Sequence, residues 1–453
     1  MRTLLSAIGF LALALFAGYA VTQFSAWHLF LGIVALFIFF ISFLNVEFSL
    51  YLLIFSMLLS PEFVAGSTGG SSLGRGVTLR FEDFLLIIIG AGWFARNAVY
   101  KDIGLFLKTP LNKPLFIYLF VCVLSTGLGI MAGNVDPKTG MFFVLKYFEY
   151  FIVFFMVVNY VHTDDQARRM VYFLLVTCFI VALVGLFQIP GGGRVTAPFE
   201  GESGEPNTFG GYLMFMLAIT AGLFLLSDNY NLKRMVVLLA AVIIPPFLFT
   251  QSRVSYLALP VMLIVVSLFT RKKGFLLAFV LVMMAMSPFF LPAVVKQRVA
   301  YTFRQTPQSE AQVSLGKIRL DPSTSARILS AKQAIADWTK RPILGYGITG
   351  HRFIDSQFPR VLVESGVVGL SFFIFLIYSI FKMAFNSLRL TDSSFYRGLC
   401  AGYIAGTAGL LVHALGANTF IIVRIMEPFW FFTGIVFLAP TLKTAAGFGW
   451  ERE

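Results

Sequence analysis

The stretch "FTQSRVSYLALPV", residues 249–261, sets Arg253 between an apolar run that ends just before it and another that begins just after it. Working outward, these runs extend to 234–251 and 253–270, each near the roughly 20 apolar residues that one helical crossing of hydrocarbon needs. Pro245 and Pro246 in the first run are expected to break or kink its helix. A broken helix end at membrane depth is tolerated only where protein or a polar cavity satisfies the freed backbone groups. The whole chain shares this character. Of its 453 residues 58% are hydrophobic and 13% charged, and the mean hydropathy is +0.83, far from the balance of a soluble domain.

Fourteen crossings are predicted, at 3–21, 26–46, 49–66, 82–99, 114–132, 141–162, 170–188, 207–226, 234–251, 253–270, 274–290, 361–385, 398–416 and 420–440. The expected fold class is an all-α polytopic integral membrane protein of about 12–14 transmembrane helices with one large helix-containing loop. It is one membrane domain: 1–290 holds the first eleven crossings, 291–360 the loop, and 361–453 the last three crossings and a tail. Residues 1–20, with Arg2 before an apolar core, are read as a first transmembrane helix rather than a signal peptide.

Placing both termini in the cytoplasm puts seventeen Lys and Arg on the inner side and five in the short outer loops, as the positive-inside rule requires. The 291–360 loop then faces outward with eleven basic and four acidic residues, a net of +7. Long loops escape that rule, so this surplus reads either as tolerance or as a surface for an anionic substrate. Cys122, Cys178 and Cys400 lie inside crossings, and His28, His162, His351 and His413 are scattered without ligand spacing, so no metal and no cofactor are expected. The patterns of nucleic-acid-binding modules are absent.

Within the loop, "DPSTSARILSAKQAIADWTKRPILGYG" (321–347) predicts a helix. Ser323 to Ser325 offer N-cap oxygens, Ile328, Leu329, Ile335 and Trp338 make an apolar stripe, and Pro342 stops it. Arg327 is expected in the first turn, where free backbone N–H groups and the guanidinium would together meet a phosphate; the alternative is an arginine that snorkels to lipid headgroups. Arg194 follows "GGG" in the Gly- and Pro-rich connection after crossing seven, and Arg253 sits at an outer junction with no acid nearby in sequence. Arg424 lies about a turn inside the last crossing with Glu427 three residues on, and reads either as a pair with Glu427 or as a substrate group. Lys146 with Glu149 in crossing six admits the same two readings. An arginine stays charged and offers a planar fork of donors, so Arg194, Arg253 and Arg327 share the chemistry of a diphosphate grip at the outer leaflet.

Arg194 with "EPNTFGGYL", "TQSRVSYLAL", "SARILSAKQAIADWTKRPILGYGITG" and "DSQFPRVLVESGVVGLSFFIFLI" (355–377), in this order around one large loop, resemble the bacterial O-antigen polymerase and O-antigen ligase superfamily over roughly 190–375. The resemblance implies a metal-independent membrane glycosyltransferase that takes a glycan from undecaprenyl diphosphate at the periplasmic face of the inner membrane. It assigns Arg194, Arg253 and Arg327 to the diphosphate or nearby acceptor groups. In the ligase branch a His followed by a small polar residue stands where this chain has Asp355 and Ser356, which favours a polymerase; His351, four residues earlier, keeps the ligase reading open. Asp355 is read as the base for an acceptor hydroxyl, or as a helix N-cap or partner of Arg352. His351, Arg352, Arg360, Glu364 and Arg424 complete the expected substrate-binding set, with Glu364 organising an arginine of the loop.

The expected function is therefore a polysaccharide polymerase acting on lipid-linked repeat units. The alternatives are a ligase to lipid A core or protein, and, in a different class, a lipid-linked oligosaccharide flippase. Expected partners are the undecaprenyl-diphosphate-linked donor, a glycan acceptor, membrane lipid, a chain-length regulator and a flippase, with no nucleic acid.

Overall fold

A computed structural model describes residues 25–64, 78–100, 108–200, 204–303, 313–315 and 318–442; the first predicted crossing and the tail from 443 lie outside the described residues. Every other predicted crossing coincides with a helix. In chain order these are α1 (Ala26–Leu44), α2 (Val46–Leu59), α3 (Phe81–Tyr100), α4 (Asn112–Met131), α5 (Pro137–Tyr160), α6 (Asp164–Gln188), α7 (Pro206–Leu226), α8 (Tyr230–Phe249), α9 (Arg253–Leu268) and α10 (Lys273–Phe290). The 291–360 segment adds α11 (Ala293–Phe303) and α12 (Pro322–Trp338), and the bundle closes with α13 (Gln357–Leu390), α14 (Ser394–His413) and α15 (Val423–Leu438). Seven described helices, α4, α5, α6, α7, α8, α10 and α13, are long and apolar enough to cross a membrane. Two short hairpins, Glu62–Val64 with Thr78–Arg80 and Ser314–Leu315 with Ile318–Arg319, form no layer. The protein is an all-α polytopic membrane protein.

The helix α7 is the hub, apolar all round and buried along most of its length, as a helix enclosed by others must be. It meets α14 backbone to backbone: a Cβ on Gly222 would stand 2.4 Å from the Gly402 nitrogen. Small residues at such a crossing let dispersion and polar contacts replace the hydrophobic drive that lipid does not supply. At the periphery, α10 exposes nearly its whole apolar surface.

Two helix breaks shape one end of the bundle. The Pro245–Pro246 pair does not break α8, which runs through both to Phe249. The break follows at 250–252, where Thr250 N–H bonds to the Pro246 carbonyl and Gln251 takes a φ of 51°. The second break is inside α13 at Gly366, whose φ of 68° and ψ of −171° leave the helix. A Cβ there would lie 2.0 Å from the Ile343 carbonyl oxygen, so only glycine fits. Residues 342–347 run alongside this break and complete it: Tyr346 N–H donates to the Val363 carbonyl (3.0 Å), Gly347 N–H to that of Glu364 (2.8 Å), and Val367 N–H to that of Pro342 (2.9 Å). Irregular backbone is thus paid for inside protein, as membrane depth requires.

The helix expected over 321–347 forms as α12 but differs in detail. Its N-cap is Asp321, which accepts from Ser323 N–H (3.1 Å) and Thr324 N–H (3.3 Å), with Pro322 at the first helical position. The Ser323 to Ser325 cap is corrected accordingly: a carboxylate before proline outcompetes the hydroxyls. The helix ends at Trp338, before Pro342. Trp338 joins Ala334, Ile354, Val363 and Tyr346 in a small core against α13, whereas Leu329 (41% exposed) and Ile335 (47% exposed) face outward.

Candidate functional site

The break at 250–252 exposes the last carbonyls of α8, and Arg194 closes on them. Its Nε donates to the Thr250 carbonyl (3.0 Å) and its Nη2 to that of Gln251 (3.3 Å), a cation at a helix C-terminus where the macrodipole favours it. The 189–205 connection is pinned alongside by Val195 N–H to the Phe249 carbonyl (3.0 Å). Arg253 opens α9, which is capped by Ser252. Its guanidinium reaches across 68 residues to grip Asp321 bidentately, with Nη2 to Oδ1 at 3.0 Å, and bonds Thr302 Oγ1 (2.8 Å) and the Ser323 hydroxyl. Arg253 therefore clasps α9 to the end of α11 and the start of α12.

Arg327 lies in the second turn of α12, not the first. Asp321 already takes the leading N–H groups of that helix, so the proposed backbone share of a phosphate site at Arg327 is corrected: the side chain would act alone. Its Nε stands 3.6 Å from Asp355 Oδ2, an ion pair without a hydrogen bond. Asp355 thus pairs with Arg327, and the residue that caps α13 is Ser356.

Arg194 stands within electrostatic reach of Arg253, Arg327 and a fourth arginine, Arg298 of α11, and Arg298 within reach of Arg253 and Arg327. Burial first, then repulsion from Arg298, Arg253 and Arg327, lowers Arg194 to about 10. Burial and the Arg253 charge lower Arg298 as well, and its Nε is a buried donor with no hydrogen-bond partner among the described residues. Burial alone would raise Asp321, but hydrogen bonds from Arg253, Thr324 and Ser323 hold its carboxyl well below the usual carboxylate range. Four guanidinium groups thus stand near two carboxylates, Asp321 and Asp355, a local surplus of positive charge in partly desolvated surroundings. Beside Arg253, Asn207 at the start of α7 accepts from the Ser252 hydroxyl (2.9 Å), and the Asn207 carbonyl lies 3.1 Å from His413 Nε2.

The other predicted residues sit elsewhere. His351 Nε2 pairs with Asp337 Oδ2 (3.1 Å) near the C-terminal end of α12, ten residues and about 15 Å of helix from Arg327. Arg352 is exposed beside it. Arg360 and Glu364 form a buried i,i+4 pair (3.1 Å), with Glu364 Oε1 also accepting from Thr349 N–H (3.0 Å) and the Phe143 and Phe353 rings over the guanidinium. Arg424 is fully buried and does not pair with Glu427 in its own helix. It donates to the carbonyls of Pro198 (2.7 Å) and Ser60 (3.3 Å) and stands 3.7 Å from Glu200 Oε1. Lys146 does pair with Glu149 (3.1 Å), and with Asp83 of α3.

Sequence reasoning missed Arg298, Asn207, Asp321 and His413. Asp321 had a signal, an Asp-Pro pair opening an amphipathic run, which marks an N-cap. Arg298 had none beyond membership of a basic loop.

A helical membrane protein with a cluster of arginines at one end of its bundle is the class that fold and site define. Residues 235–374 match the family model described as O-antigen ligase, the Wzy_C domain. The match spans α8 to the middle of α13 and contains Arg253, Arg298, Arg327 and Asp355; over that segment the chain is similar to O-antigen ligases, and the match does not separate ligase from polymerase. No curated protein matches the chain.

Proposed function

We propose that the protein is a polysaccharide polymerase of the bacterial inner membrane, moving a glycan from undecaprenyl diphosphate to a second lipid-linked repeat unit at the periplasmic face. The observation that carries this reading is the cluster of Arg194, Arg253, Arg298 and Arg327 within electrostatic reach at one end of the bundle. In it Arg253 and Arg327 grip carboxylates (side chains 15% and 21% exposed) within reach of solvent, and the buried Arg298 Nε has no partner. A diphosphate supplies the missing acceptors and negative charge.

In the proposed reaction an acceptor hydroxyl oxygen attacks the anomeric carbon of the donor. The bond from that carbon to the diphosphate oxygen breaks, its electron pair stays on the diphosphate, and the hydroxyl proton passes to Asp355. The guanidinium groups stabilise charge as it develops on the leaving group, the electrostatic task for which preorganised donors are suited. Asp355 is suited to receive the proton because it is 42% exposed and held by Arg327 without a hydrogen bond. The positive charge comes from arginine, so turnover is expected to survive a chelator.

Asp355 standing where the ligase branch has His favours polymerase over ligase. Both termini in the cytoplasm, a chain-length regulator and a flippase as neighbours complete the proposal. Purified protein supplied only with lipid-linked repeat units should produce a glycan ladder. A product that appears only after lipid A core is added would make it a ligase, and no new glycosidic bond in either assay would end the reading.

A further inference from the structure

Charge also collects in the same end of the bundle but out of water. Glu427, one turn into α15, is fully buried, and neither of its carboxyl oxygens has a hydrogen-bond partner among the described residues. Glu82 and Asp83 of α3 and Lys146 and Glu149 of α5 stand within its electrostatic reach. Lys146 is committed to Asp83 and Glu149; Glu82 accepts from the Ser60 hydroxyl and pairs with Arg80 (3.3 Å).

The remaining groups around α15 do not serve Glu427. Arg424, on its own helix, is directed to Glu200 and two carbonyls. Tyr150 of α5 feels Glu427, but its hydroxyl donates to the Ile421 carbonyl. The Arg360 and Glu364 of α13 answer each other. From α14, His413 is held by Thr419 and Asn207, and α7 carries no charged residue. Arg424 also lies within electrostatic reach of Glu82, so five carboxyl groups, Glu200 among them, face three cations, Lys146, Arg80 and Arg424.

A carboxylate buried without a counter-charge or donors takes up a proton instead. A metal ion would need several converging ligands, and no group of three or more His, Cys, Asp or Glu with that geometry occurs among the described residues. We propose that Glu427 is a proton-binding site inside the membrane, linked through Arg424 to the connection that carries Arg194. The link is geometric. Arg424 is the residue three before Glu427, and its guanidinium fixes Pro198 and Glu200 of the 189–205 connection. When Glu427 gives up its proton, its new charge competes with Glu200 for that guanidinium, and the connection loosens beneath Arg194.

The test uses full-length protein in lipid nanodiscs. Infrared spectroscopy should show protonated-carboxyl C=O absorption, shifted by deuteration, that loses one carboxyl's intensity in Glu427→Gln and keeps it in Glu47→Gln at the opposite end of the bundle. Absence of the absorption in the parent, or its undiminished intensity in Glu427→Gln, overturns the proposal, as does its loss when sodium replaces N-methylglucamine, which would make a metal cation the occupant. If Glu427→Gln does not fold, Lys146→Met should add one protonated carboxyl to the parent signal, and no increase also overturns it. For the link, hydrogen exchange of the 194–205 backbone, corrected for intrinsic rate, should rise several-fold with pH in the parent and stay flat in Glu427→Gln. Equal rises in both proteins overturn the link.

Discussion

Arg253 and Arg424 present the same group near the same end of the bundle, and they live in opposite electrostatic regimes. Arg253 keeps 15% of its side chain in contact with solvent and belongs to a cluster where guanidinium groups outnumber carboxylates. Arg424 has no exposure and adjoins a cluster where carboxyl groups outnumber cations. Near water a surplus of one sign persists and attracts its opposite from solution; in the low-dielectric interior the surplus is removed by protonation or by binding. Charge count and access to water together separate a site for an anion from a site for a proton.

The largest effect expected from breaking this contrast is on stability. Arg424→Met leaves Glu200 and the Pro198 and Ser60 carbonyls without their donor, and breaking a buried pair of this kind costs about 3–5 kcal/mol, readable as a large fall in Tm in detergent. Next, Arg253→Ala removes charge-assisted bonds worth about 1.5–3 kcal/mol each, so turnover of lipid-linked units should fall tens- to hundreds-fold. That variant also frees Asp321, so its loss mixes clasp and chemistry.

Arg298→Ala sharpens the comparison, because its Nε holds nothing in the protein. Donor affinity should fall about tenfold, equivalent to about 1.4 kcal/mol, while Tm stays at the parental value. An unchanged donor Kd would remove Arg298 from the site.

The smallest effect is a pH dependence. Arg194 is lowered to about 10 by burial and by its arginine neighbours. Its charged form is the one the fold disfavours and an anion favours. Affinity for inorganic pyrophosphate should therefore decline as pH rises through about 10, and Arg194→Met should lose that step. Asp321 runs the other way: its depressed carboxyl contributes stability above the ordinary Asp value of 3.8, lost only as pH falls through its lower folded value. Thermal unfolding followed downward in pH would show the Arg253 clasp outlasting exposed carboxylates, and Asp321→Asn would remove that acid step.

Much of the architecture was legible without coordinates. Apolar runs of crossing length located thirteen helices within the described residues, and the basic loop pointed to one end of the bundle. These signals are local, since hydropathy and capping act over one helix or one turn. Of the break or kink expected at Pro245 and Pro246, the break does not occur there: α8 runs through both, and the break falls at 250–252.

The candidate site was legible only in its residue types. That arginines suited to an anion occur at 194, 253 and 327 is a property of the sequence. That Arg253 and Arg327 lie within electrostatic reach of Arg194 together with Arg298, and that Asp355 answers Arg327 while His351 answers Asp337, came from packing. Arg424 states the reason most plainly. Glu427, three residues away, was the partner its own helix offered, yet the guanidinium reaches Pro198, 226 residues distant in sequence. Sequence determines which groups a chain must satisfy. Which group satisfies which is decided by the nearest donors and acceptors in space, and in a bundle of crossing helices those neighbours come from elsewhere in the chain.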